Sequence, residues 1–267
     1  MKTYVRYEPD AQGIVTITLD RPRTRNGFDD VMASQMVARF REATTDPDCR
    51  LLIVTGAGDS FCAGGDLRFM EKAVSEGRTD DAMKLVLRGT EVVRLVHGAP
   101  MPVIAALNGP AVGGGASLAL ACDLRLIRED ARIHLSYAKL GLIPAWGGSW
   151  FLPRLVGESK ALELLLAAEP IEAPRALSLG LVNAVIALDE WEGELRRRAL
   201  AIAEHPAGAV RSIKQMIHSS SGRSFEHVLA VEEKEQRAMF ESYETRERLS
   251  RAARPGRRET EDGKKPS

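Results

Sequence analysis

Long apolar runs are what this sequence most clearly lacks. No stretch approaches the roughly 18 residues that cross a bilayer as a helix. The opening residues, MKTYVRYEPD, hold no apolar segment of the signal-peptide kind. A soluble protein without a membrane partner is expected. Charge bias is lacking too: Lys+Arg and Asp+Glu both number 37, so nothing favours nucleic acid or an anionic surface as partner. Cysteine is sparse. Cys49, Cys62 and Cys122 are odd in number, far apart and without metal-like spacing. Free thiols in a reducing, cytoplasmic setting are expected, with no metal site. At 267 residues the chain has room for one large core and an appendage.

Glycine is present in two informative places. The stretch Pro102 to Ile127 opens with an apolar run, Val103 to Leu107, of strand length. Asn108-Gly109-Pro110 turns the chain, and Gly113 to Gly115 precede a small-residue helical segment, Ala116 to Ala121. Leu124 to Ile127 reads as a second buried strand. Glycines ahead of a helix leave backbone N–H groups facing outward, with the positive end of the helix dipole behind them. Such a place suits a carboxylate, a phosphate or an oxygen that becomes negative in a reaction. Tight packing of helix on sheet is the alternative use of the same glycines. A second turn of this kind follows the strand-like run Leu51 to Thr55, in GAGDSFCAGGDL from Gly56 to Leu67. Two such turns can place two backbone donors around one oxygen.

Elsewhere the pattern is of alternating elements. Ile14 to Leu19 alternates as a half-buried strand does. The polar loop RTRNGFDD leads to a helix with Met32, Met36 and Phe40 at four-residue spacing, capped by Asp29 or Asp30 and closed at Asp46-Pro47-Asp48. Leu67 to about His97 reads as loosely patterned helix with Gly77 and Gly89 inside it. Gly141 and Pro144 break regular structure, and Gly147-Gly148 start another helix. Ala161 to Ala168 is strongly helical. Pro174 suits a helix start, Gly180 a helix end. Leu181 to Ile186 reads as a last strand. Three helices follow: Trp191 to Glu204, Pro206 to about Ser219, and Phe225 to Tyr243. From about Arg251 a basic tail rich in Pro, Gly and Ser is expected to be flexible.

The segments FCAGGDL, PVIAALNGPAVGGG, LALACDLRL, KLGLIP, GGSWFLPRLVG and LGLVNAVI stand in that order. Together they closely resemble the crotonase (enoyl-CoA hydratase/isomerase) superfamily. That resemblance implies an α/β fold, a spiral of β-β-α units over residues 1–190, with a helical oligomerisation region at 191–250 that forms trimers or hexamers. It implies an acyl-CoA substrate, used in pathways such as fatty acid metabolism, and no permanently bound cofactor. The two oxyanion donors it implies are the amides of Gly65 and Gly114. Arg25, Ala63, Gly64 and Asp66 fall beside the implied CoA pocket. Arg25 in a solvated turn and Asp66 as a turn cap are the structural alternatives.

The acid/base half of the family pattern is missing. Hydratases of this family carry a glutamate two residues after the glycine triplet; here Ser117 stands there. Their second glutamate precedes the glycine of the LG motif by four residues; here Tyr137 stands there. The pattern SxxKLGLIPxxGGxWxLPR resembles the phenylacetate-pathway enoyl-CoA and epoxide isomerases, whose catalytic aspartate corresponds to Ala145. Ser117, Tyr137 and His134, the one nearby group with an ordinary pKa near neutrality, are the remaining candidates, with Trp146 a wall. An enzyme that stabilises a thioester enolate, by isomerisation or decarboxylation, is the expected activity. An impaired acyl-CoA-binding protein and a thioester hydrolase are the alternatives.

Overall fold

The computed structural model describes residues 2–253. Strand β1 (Val5–Pro9) runs antiparallel to β2 (Ile14–Leu19), and helix α1 (Asp30–Thr45) leads to β3 (Leu51–Gly56). Asp29 caps α1, its carboxylate accepting the Met32 amide, and Met32, Met36 and Phe40 are buried as their spacing requires. The stretch after the first glycine turn divides in two, α2 (Leu67–Ser75) and α3 (Thr79–His97), because Gly77 takes a left-handed φ of 69°. Then come β4 (Val103–Leu107), β5 (Ala111–Val112), α4 (Gly114–Ala121), β6 (Leu124–Arg128) and β7 (Arg132–His134). Helix α4 starts inside the glycine triplet, two residues earlier than the sequence pattern indicates.

Beyond it lie α5 (Gly148–Val156), α6 (Glu158–Ala167), β8 (Pro170–Glu172), α7 (Ala173–Ser178), β9 (Ala184–Ile186), α8 (Trp191–Ala203) and α9 (Ala207–Ser220). The expected last helix is two, α10 (Phe225–Glu241) and α11 (Tyr243–Ala252). Ser242 is extended between them, and its hydroxyl accepts the Thr245 amide as the cap of α11. Most of the basic tail, from residue 254, lies outside the described residues.

Six strands form the main sheet in the order β1-β2-β3-β4-β6-β9, parallel from β2 onward, and β5, β7 and β8 form a small second sheet. A parallel sheet buried on both faces reads as continuous apolar runs. Here Leu52, Val54, Val103, Ala105 and Leu107 join the large core, while Leu51, Ile53, Ile104 and Ala106 face the other way. Helix α8 covers that second face with Trp191, Leu195, Ala199 and Ala203. Contacts divide the chain into a unit through Ala207 and a second from Gly208. Among the described residues no helix is long and apolar enough to cross a membrane.

Candidate active site

Strand β3 delivers the chain at Gly56 into the first glycine turn, and two buried carboxamides hold that turn. Asn26 donates from Nδ2 to the carbonyls of Ala57 (2.9 Å) and Ser60 (2.8 Å), while its Oδ1 accepts the Arg21 amide at 2.9 Å. Asn108 donates to Gly56 and Gly58 and accepts the Gly56 amide, tying the end of β4 to the same loop. Loop polar groups that lose water need such partners. The two turns are then stitched together: the Cys62 amide donates to Pro110, and the Val112 amide to Cys62. Gly115 is where this stitching becomes closest. A Cβ there would stand 2.3 Å from the Cys62 carbonyl oxygen, so only glycine lets α4 begin against the first turn.

Gly65 lies in a parallel bridge opposite Phe28, in which Phe28 donates to Gly64 and Asp66 donates to Phe28, both at 2.9 Å. The residue between two such bonds points its own N–H to the other side. Gly114 is the first residue of α4, so its N–H has no intrahelical acceptor. Among the described residues no protein acceptor takes either N–H. The turns are in contact at this point, since a Cβ on Gly64 would stand 3.1 Å from the Gly114 nitrogen. The Phe28 ring borders both glycines, 3.0 Å from a Cβ placed on Gly114 and 3.8 Å from one on Gly65. Two unengaged donors with a helix N-terminus behind one of them favour a partly negative oxygen.

Ser117 follows Gly114 by three residues on α4, one helical turn in. Its Oγ lies 2.7 Å from the Tyr137 Oη, and both residues are buried. The two positions named by the missing glutamates are thus brought together as one neutral hydrogen-bonded pair. Burial pushes the Tyr137 phenol up to about 12, against smaller opposing effects of Ser117 and the Ala145 amide. Tyr137 therefore stays a neutral phenol across ordinary pH, and either hydroxyl of the pair can donate to the other. Cys62 is likewise pushed up to about 12 by complete burial, which leaves a packed, unreactive thiol.

His134 stands apart from that pair. It sits on β7, and its Nε2 meets the Ala168 carbonyl at 2.9 Å. The imidazole is committed to that carbonyl and joins neither Ser117 nor Tyr137. Its contribution to the turn is main-chain: the His134 carbonyl accepts the Gly113 amide at 2.9 Å. Asp66 is engaged by its own loop. It caps α2 by accepting the amides of Arg68 and Phe69, and Arg21 donates to it at 2.7 Å. Burial alone would raise its pKa, but these donors outweigh that and hold it below the usual carboxylate range. Arg25 is exposed, and its carbonyl accepts the Ala63 amide at 2.9 Å, which joins the two loops there.

Phe28 is a residue of the candidate site that the sequence conceals. It sits in a polar loop, and only the long-range bridge to Gly65 brings its ring to the donors. Among the described residues no group of three or more His, Cys, Asp or Glu could hold a metal ion.

A family model for enoyl-CoA hydratase/isomerase matches residues 10–254. The 1,2-epoxyphenylacetyl-CoA isomerase of Escherichia coli K12 is 34% identical over 239 residues, covering 90% of this chain and 91% of its own length. The ethylmalonyl-CoA decarboxylase of Gallus gallus is 31% identical over 231 residues, covering 85% and 76%. A crystal structure of the enoyl-CoA hydratase from Bacillus anthracis superposes with a TM-score of 0.87 at 30% identity, covering 93% of this chain and 95% of that one. With two glycine turns in contact, donors unengaged and a match along nearly its whole length, this chain belongs to the enoyl-CoA hydratase/isomerase family of the crotonase superfamily.

Proposed function

We propose that the protein binds an acyl-CoA thioester with its carbonyl oxygen between the Gly65 and Gly114 amides, and turns it over through the enolate. The observation that carries this reading is the neutral Ser117–Tyr137 pair beside two unengaged donors. Donors aimed at the carbonyl stabilise negative charge as it develops there. A reaction that also needs a carboxylate to remove a proton is poorly served. Loss of CO₂ from a malonyl-type thioester needs no base: the Cα–carboxylate bond breaks, its electron pair becomes the enolate, and Cα then takes a proton. Tyr137, neutral and hydrogen-bonded, is suited to supply that proton, and solvent restores it. The decarboxylase relative supports this chemistry, and the isomerase relative, named for an epoxide of an acyl-CoA, supports isomerisation of an acyl-CoA thioester as the second reading.

Malonyl-type and enoyl-CoA thioesters, with products identified by mass spectrometry, test the reading. Decarboxylated product from the malonyl type is expected, flat with pH between about 6 and 9 because no group assigned a proton-transfer role titrates there. Tyr137→Phe is expected to lower kcat by about 10²-fold or more with little change in CoA affinity. Failure of every thioester to bind would overturn the reading. Tight binding without turnover would replace it with an acyl-CoA-binding protein, and release of free CoA with a thioester hydrolase.

The helices from Gly208 expose Ile213, Ile217, Phe225, Phe240 and Tyr243. Apolar surface of this kind supports the trimer or hexamer expected of the region. Sedimentation is expected to give a trimer or its double; a stable monomer at micromolar concentration would contradict it.

A further inference from the structure

Trp146 stands in a backbone conformation that few bulky residues adopt. Its φ is 56°, and Gly147 follows at 78°. A bulky residue in the left-handed region is a strained exception that surrounding structure must hold in place. Here the holding groups are visible. The indole is 4% exposed and stacked on Phe28, with centroids 4.3 Å apart and planes inclined by 21°. One edge lies 3.7 Å from a Cβ placed on Gly114, the proposed donor. The other edge enters a notch at Gly89, in the middle of α3, where a Cβ would stand 1.4 Å from the indole. Glycine inside a helix is unfavourable unless packing requires it, and this contact requires it. Trp146 also borders an apolar cavity of about 200 Å³ lined by Thr90, Val93, His97, Trp150 and Phe151.

We infer that Trp146 is a specificity-determining residue: a fixed wall that closes the acyl side of the site and limits the protein to short acyl-CoA thioesters. This rests on the acyl-CoA reading above. A thioester held by Gly114 directs its chain past the adjoining Phe28–Trp146 stack. With the indole clamped between Phe28 and the Gly89 notch, carbons beyond the reacting one find no further apolar room. Trp146 lines the 200 Å³ recess beside α3, whereas Phe28, Gly65 and Gly114 do not. Removing the indole joins the two spaces.

Calorimetric titration of acetyl-, butyryl- and octanoyl-CoA into wild type and Trp146→Ala tests this. Each methylene that becomes buried strengthens binding roughly fourfold. Wild type is expected to bind octanoyl-CoA no more tightly than butyryl-CoA. Trp146→Ala is expected to bind octanoyl-CoA at least about tenfold more tightly than wild type does. Trp146→Phe, which keeps an aromatic ring against Phe28, covers the case in which the alanine variant does not fold, and a smaller gain in the same direction is expected. Affinity in wild type that climbs steadily to octanoyl-CoA overturns the wall. So does a folded variant, checked by thermal melting, with the wild-type chain-length profile. If wild type binds none of the three, the acyl-CoA reading itself fails, an outcome distinct from either of these.

Discussion

Crotonyl-CoA is expected to be hydrated at least about 10⁴-fold more slowly by this protein than by a hydratase carrying both glutamates. Adding water across C2 and C3 requires a base for the water and an acid for C2, each contributing about 10²–10⁴-fold. Ser117 and Tyr137 supply neither function well. The phenol, pushed up to about 12 by burial, cannot accept a proton at neutral pH, and its neighbour is a hydroxyl rather than a carboxylate. The proposed polarisation of the thioester by Gly65 and Gly114 does not depend on these residues, so binding is expected to persist while turnover fails. Loss of the enoyl thioester absorbance measures this directly. Hydration at ordinary hydratase rates would show that another residue supplies the acid and base. Ser117→Glu with Tyr137→Glu is not expected to restore the reaction. Ser117 is fully buried, so an ionised glutamate there carries a large desolvation cost.

The same burial explains what could be read ahead of the structure. Ile14–Leu19 and Val103–Leu107 were legible because local alternation or a bounded apolar run declares a strand whatever it pairs with. Strand β1 carries no such signal: of VRYEP only Val5 is buried, since it is an edge strand paired on one side. The three short strands of the second sheet are too brief for a period to register. The glycine turns were legible because glycine is costly anywhere that does not need it. Their supports were not. Asn26 and Asn108 look like ordinary turn residues, and their burial depends on carbonyls 31 to 52 residues away. The partner of His134 is hidden for the same reason, as only the fold brings the Ala168 carbonyl to its ring. Trp146 is a candidate wall on the sequence alone, but the Gly89 notch that receives its indole lies 57 residues back, on α3.

Gly114→Pro is expected to lower kcat by about 10²–10³-fold on any thioester the protein turns over, the usual cost of losing one oxyanion donor. Proline is chosen because Gly114 is the first residue of α4. That position tolerates proline, whose fixed φ suits a helix start and whose missing N–H has no helical acceptor to lose. The substitution thus deletes the donor while leaving the helix in place. Its added Cβ meets the Phe28 ring at 3.0 Å, tight enough to shift the ring by a few tenths of an ångström. Gly114→Ala introduces the same Cβ and keeps the N–H, so it isolates that steric effect. The alanine variant should retain most of kcat and the proline variant should not. Circular dichroism melting and retained CoA binding establish that both are folded. A proline variant that folds, binds CoA and keeps kcat within tenfold of the alanine variant would remove Gly114 from the oxyanion site. The enolate mechanism would then lose the donor that lies at the helix N-terminus.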